Sequence, residues 1–213
     1  MDTVYQLKIT LKHSQPPIWR RVQVRANINL HDLHRVIQVV MGWTNSHLHQ
    51  FIVRGVYYGD DDPDFGLGSE LEFISEHKIG LDQIVSQEKE KLIYEYDFGD
   101  GWEHQIVVEK ILQPESTRSY PNCLTGKRAC PPEDVGGVWG YDNFVEIIRD
   151  KKHPEHKAML EWVGGDFDPE EFNMVEVSSV ADRRLPEGGR RLCATYHQRE
   201  KERDSPLHVR GTV

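Results

Sequence analysis

Imidazoles, thiols and carboxylates fall at a few places in this sequence where their spacing could do chemistry. Cys123 and Cys130 share one stretch, and His47 and His49 stand two residues apart ahead of an apolar run. Two cysteines and two histidines make a complete tetrahedral set for zinc. A metal would also order a loop that has no core of its own. Six residues separate the two cysteines, wider than common zinc spacings. Two small buried thiols beside ordinary polar histidines would leave the same pattern. Asp97, Asp100 and His104 gather around Gly99-Asp100-Gly101, the parts of a general acid–base or hard-metal site. No nucleophile accompanies them, and an aspartate between glycines is also what a tight turn prefers. Glu133 and Asp134 follow Pro131-Pro132 and precede Gly136-Gly137. They could hold a cation, or pair internally with Arg20, Arg21 or Arg128. Trp19, Arg21 and Trp43, with Glu133 and Asp134, are the candidates for a binding surface, although tryptophans at element ends commonly seal a core. Phosphate-binding glycine loops, the nucleophile elbow and H-E-x-x-H are absent from the sequence.

The elements that must position these groups can be read from periodicity. Tyr5, Leu7, Ile9 and Leu11 alternate with Gln6, Lys8 and Thr10, the period of a half-buried strand. Ser14-Gln15-Pro16-Pro17 breaks it, and a second strand carries Ile18, Val22 and Val24. Asn29 caps a helix with Leu30, Leu33, Val36, Ile37, Val40 and Met41 on its inner face and Gly42 as its stop. Strands follow at 49–53 and 56–58, then an acidic irregular stretch to residue 90 with an apolar patch at Ile79, Leu81, Ile84 and Val85. Leu92–Phe98 and Trp102–Ile111 form the clearest hairpin. Residues 113–140 are punctuated by Pro114, Pro121, Gly126, Pro131-Pro132 and Gly136-Gly137, so they read as one long loop. Three helices then follow: one from Tyr141, one from Pro154 to Val163, and one opened by Asp168-Pro169-Glu170-Glu171. The expected fold class is α+β: a β-grasp (ubiquitin-like) mixed sheet with one packed helix over 1–112, the Gly/Pro-rich loop at 113–140, and a C-terminal helical annex at 141–181. Together these make one domain over 1–181, and 182–213 is a basic tail expected to be flexible.

Composition narrows the function class. The 213 residues carry a net charge of −9 with 29% charged residues. Asp182–Val213 holds eight Lys/Arg against five Asp/Glu, so the preceding 181 residues hold 18 basic and 30 acidic side chains, a charge of −12. Such a body repels a phosphate backbone, and nucleic acid is not an expected partner for it. No apolar run approaches the ~20 residues of a membrane span, and the first residues lack the layout of a secretory signal. Three cysteines, Cys123, Cys130 and Cys193, do not make a disulfide framework. The expectation is a soluble, cytoplasmic protein without a membrane partner.

Five blocks in order carry a family resemblance. They are Pro16-Pro17-Ile18-Trp19-Arg20-Arg21-Val22; Met41-Gly42-Trp43 with His47-Leu48-His49 and Phe51; Tyr96-Asp97-Phe98-Gly99-Asp100 with Trp102 and His104; Cys123, Gly126 and Arg128-Ala129-Cys130-Pro131-Pro132-Glu133-Asp134 with Gly136-Gly137; and Gly164-Gly165-Asp166-Phe167-Asp168-Pro169. In order and spacing the sequence resembles the plasmid pRiA4b ORF-3-like family over about residues 4–181. That resemblance implies no agreed activity, and it associates the chain with plasmid or mobile-element gene neighbourhoods. Some relatives carry resolvase-like labels, but no nucleophilic serine or tyrosine stands here in an arginine-rich setting. Relatives often have a cysteine where this chain has Val135, so any metal role for that third thiol is lost. The leading expectation is a non-enzymatic binding or adaptor module for an unidentified protein partner. The alternative is a zinc-binding protein with Cys123, Cys130, His47 and His49 as ligands: either a metal-dependent hydrolase with Asp97 or Glu133 near a bound water, or an interaction module with structural zinc.

Overall fold

The computed structural model describes residues 3–60 and 73–173. The N-terminal half unfolds its elements nearly as their periodicity requires: β1 (Val4–Leu11), β2 (Trp19–Arg25), α1 (Leu30–Met41), β3 (His49–Val53) and β4 (Val56–Gly59). After β5 (Phe73–Ser75) and the single turn α2 (Leu81–Ile84) come β6 (Lys91–Tyr96) and β7 (Trp102–Leu112), then β8 (Asn122–Lys127), α3 (Gly137–Arg149) and α4 (His156–Trp162). The Asn29 side chain accepts from Asp32 N, and Gly42 ends α1 in the left-handed region at φ 100°, the pairing of polar cap and glycine stop that orphaned helix-end groups demand.

The β-grasp expectation is overturned. Among the described residues eight strands form a single sheet in the order β5-β4-β3-β6-β7-β1-β2-β8, accompanied by four helices. β1 sits antiparallel to both β2 and β7, and among the described residues the one parallel pair is β4–β5 at the edge. Alternation reports that a strand is half-buried but is blind to the direction of its neighbour. The expected loop at 113–140 also contains β8, which pairs antiparallel with β2. Glycine and proline at its margins hid a strand whose own burial is only partial. α3 begins at Gly137 rather than Tyr141. Asp168–Glu171 closes as a turn, with Glu171 N donating to Asp168 O at 3.1 Å, and residues 171–173 are not helical. The basic stretch 182–213 and the acidic residues 61–72 lie outside the described residues.

One core unites the layers. Tyr5, Leu7, Ile9 and Leu11 of β1 meet Leu30, Leu33 and Ile37 of α1, Trp102, Ile106 and Val108 of β7, and Tyr141, Phe144 and Val145 of α3. Burial of this much apolar area is the main stabilising term. Among the described residues no helix is long and apolar enough to cross a membrane.

Candidate functional site

Three of the sequence blocks converge at one end of the sheet. The segment between α1 and β3 brings His47, the β6–β7 turn brings Asp97, and the loop before α3 brings Asp134. His47 Nε2 lies 3.3 Å from Asp134 Oδ1 and 3.7 Å from Asp97 Oδ2, and the three ligand atoms lie within 4.8 Å of one another. Nε2 is itself buried and makes no hydrogen bond. A buried nitrogen without a partner is unusual, because desolvating it costs about 1–3 kcal/mol.

Asp97 is held by its own turn. Asp97 N donates to Leu48 O at 2.8 Å, its carbonyl accepts from Gly101 N at 2.6 Å, and its Oδ1 accepts from Gly99 N at 2.9 Å and Asp100 N at 3.3 Å. The residue sits in the left-handed region at φ 56°, a conformation aspartate tolerates better than most. One carboxylate oxygen therefore builds the turn and the other faces His47. Asp134 is also left-handed, at φ 60°, with its side chain 72% exposed. Asp100 Oδ2 accepts from Gly136 N at 3.1 Å, which ties the hairpin turn to the start of α3. Gly137 packs so closely on Asp100 that a Cβ there would stand 2.5 Å from the Asp100 carbonyl oxygen.

Glu133 makes a clamp beside the cluster. Its carboxylate accepts from Thr44 N at 3.2 Å, from the Thr44 hydroxyl and from Tyr96 Oη at 2.5 Å, and Ser46 N donates to the same phenol oxygen at 2.9 Å. Burial first, and the Glu133 carboxylate second, push the Tyr96 phenol far above its ordinary range, so it remains a donor. The segment carrying His47 is thereby fastened to β6 and to the loop carrying Asp134.

The other candidates lie elsewhere. His104 points into the core from β7, fully buried, with an edge-on contact to Trp43 at 5.2 Å. Burial lowers its pKa to about 4, weak backbone contacts from Tyr94 and Trp102 offsetting this only in part, and neither ring nitrogen makes an aligned hydrogen bond. Cys123 stands on β8 opposite Val22. Burial raises the pKa of both Cys123 and Cys130, with the Arg20 guanidinium opposing it. Among the described residues no group of three or more potential ligand atoms within 4.8 Å contains a cysteine. His49 turns away from His47 and meets Glu76 Oε2 at 2.8 Å. Trp43 is buried, its indole donating to Pro131 O at 3.1 Å. Trp19 lies under the Lys8 ammonium and the Arg21 guanidinium, and Arg21 forks onto Glu109 at 2.6 and 2.8 Å. The expected arginine partners of Glu133 and Asp134 are otherwise engaged: Arg20 donates to Val40 O and Lys127 O, and Arg128 to Glu170. Sequence reasoning passed over Glu76, which lies in the stretch read as irregular. His31 and His34, three apart on one helix, were the available signal for a polar cluster on that face.

With this fold and these converging blocks in view, the class is an α+β protein built on one mixed sheet with a polar cluster at the strand ends. The family model for plasmid pRiA4b ORF-3-like protein matches residues 3–176, and the chain belongs to that family. It is similar to a Sinorhizobium fredii (strain NBRC 101917 / NGR234) protein described as uncharacterized protein y4hQ, 41% identical over 182 residues, covering 84% of this chain and 91% of that one. It is also similar to the crystal structure of MM3350, a protein of unknown function from Methanosarcina mazei Go1. That match has a TM-score of 0.74 and 38% identity, covering 83% of this chain and 98% of that one.

Proposed function

We propose that this protein binds a divalent cation through His47, Asp97 and Asp134 and presents the cation's remaining positions to water or to an anionic substrate, the arrangement of a metal-dependent hydrolase. The observation that carries this reading is His47 Nε2, a buried ring nitrogen with no hydrogen-bond partner, aimed between two carboxylate oxygens. Two carboxylates and one imidazole suit an oxygen-preferring cation of the manganese or magnesium kind better than a thiolate-seeking one. Three protein ligands leave coordination positions open, and the exposed Asp134 puts them at the surface. A cation there would lower the pKa of a bound water and polarise a substrate oxygen. The Glu133 carboxylate, already shared by Thr44 and Tyr96, is an additional base on the same loop as Asp134.

An imidazolium paired with both aspartates is the competing account, and it calls for no metal. Mn2+ titration followed by electron paramagnetic resonance separates the two. One bound equivalent, lost in His47→Ala and Asp134→Asn but kept in the Cys123→Ser/Cys130→Ser double variant, supports the cation site. Equal Mn2+ binding in wild type and Asp134→Asn, or no binding in either, rejects it. If the loaded protein turns over no phosphoester or amide substrate, the same cation serves a non-enzymatic module, bridging to an anionic group on a partner.

A further inference from the structure

A second polar cluster, on other elements, is left over by that reading. Glu76 follows β5 and is fully buried, a costly setting for a carboxylate unless it is closely partnered. Its N–H donates to Gly59 O at 2.9 Å, which locks its backbone to the end of β4. Its two oxygens meet different imidazoles: His31 Nδ1 at 2.9 Å from Oε1, and His49 Nε2 at 2.8 Å from Oε2. Burial pushes the Glu76 carboxyl up, but the hydrogen bonds from His31 and His49 outweigh it and hold the group well below the usual carboxylate range. His77 stacks on His31 with ring centres 4.2 Å apart, and Asp60 Oδ1 lies 3.8 Å from His77 Nε2. His34 stacks on His49 at 3.5 Å, but both its nitrogens are engaged, by Tyr94 Oη at 2.8 Å and Asn45 Oδ1 at 2.7 Å. It supports the cluster without offering a ligand atom.

We propose that His31, Glu76 and His77 form a binding site for a first-row transition-metal cation of the zinc kind, at the junction of α1 with the turn after β5. Their ligand atoms lie within 4.8 Å of one another. Ligand atoms about 2.0–2.2 Å from a tetrahedral zinc stand about 3.3–3.6 Å apart, so the half-exposed His77 must swing inward to complete the set. Two imidazoles and one carboxylate favour zinc, nickel or copper over magnesium or calcium. The supporting shell is already in place. His49 orients the carboxylate from its far oxygen, the kind of outer contact that fixes a ligating side chain, while Asp60 Oδ1 lies 3.8 Å from His77 Nε2, beyond hydrogen-bond distance. The side chains of His31 and His77 are 34% and 41% exposed, so a cation can enter and a fourth position remains for water or a donor from outside. Cation binding displaces any proton held between His31 Nδ1 and Glu76 Oε1 to the other ring nitrogen or to solvent, and the cation takes its place beside Glu76.

This inference does not rest on the His47–Asp97–Asp134 reading, and one set of variants separates them. Zn2+ titration by calorimetry, paired with Co2+ absorption spectroscopy, is made on wild type, His77→Ala, Glu76→Gln and Asp134→Asn. The expected result is a Zn2+ affinity at least tenfold weaker in His77→Ala, with loss of the cobalt d–d bands, while Asp134→Asn keeps both. Equal Zn2+ affinity and cobalt spectrum in wild type and His77→Ala overturns the proposal, whatever Asp134→Asn does to Mn2+. Should Glu76→Gln fail to fold, the partly exposed His77 still decides the question.

Discussion

Asp97 does two tasks with one carboxylate, and substitutions can separate them. Oδ1 accepts two backbone N–H groups of the β6–β7 turn, while Oδ2 faces His47. Asp97→Ala removes the acceptor of the Gly99 and Asp100 N–H groups, which lie nearer the surface than Asp97 itself, so a loss of roughly 1–2 kcal/mol is expected in denaturant unfolding. Asp134→Asn, at an exposed position, should change stability by less than about 0.5 kcal/mol while removing the cation. His104 gives the residue-scale pH dependence. Its folded pKa of about 4 lies below the ordinary histidine value, so the unfolded chain binds the proton more readily. Stability should therefore be full above about pH 6.5 and fall as pH drops toward 4, by on the order of 3 kcal/mol. Unfolding curves measured between these limits on wild type and His104→Phe check this: the variant should lose the His104 share of the slope and keep the share of buried His34, whose pKa burial also lowers.

At the scale of elements, the site depends on how closely α3 approaches the β6–β7 turn. Gly137 sits at φ 70°, and any Cβ there would collide with the Asp100 carbonyl oxygen. Gly137→Ala must either shift the start of α3 or open the turn, moving Asp134 away from His47. The expected outcome is a Mn2+ affinity lowered at least tenfold, with a stability loss of about 1–3 kcal/mol, read by titration and thermal melting of the same sample. α1 supplies the contrasting case. Asn29→Ala removes the cap on Asp32 N and should cost about 1 kcal/mol. The His47–Asp97–Asp134 site should be untouched, since none of its three residues belongs to α1.

For the whole molecule, both proposed sites join segments far apart in sequence: 47, 97 and 134 in one, 31, 76 and 77 in the other. A cation that binds only the folded arrangement stabilises it by mass action, about 2.7 kcal/mol at a hundredfold excess over Kd. Mn2+ and Zn2+ should therefore each raise the melting temperature, and EDTA should reverse both shifts. Because the ligand sets share no residue, Asp134→Asn should abolish the Mn2+ shift and leave the Zn2+ shift, with near-additivity when both ions are present.

Local rules were enough for much of this. The alternation of Tyr5 to Leu11, the cap and stop of α1 at Asn29 and Gly42, and the glycine turn between β6 and β7 all follow from side-chain period and backbone chemistry within a few residues. The family was legible in five ordered blocks, and His47, Asp97 and Asp134 were among the residues singled out by type. Their grouping was not. Nothing within a few positions of His47 indicates that its partners are Asp97 and Asp134 rather than Cys123 and Cys130, or that His49 belongs with Glu76. Strand order was equally hidden, because the same alternating face serves a parallel or an antiparallel neighbour, and β8 became a strand only by meeting β2. Pairing partners and ligand sets are contacts between distant segments, and the packing of the whole sheet selects them.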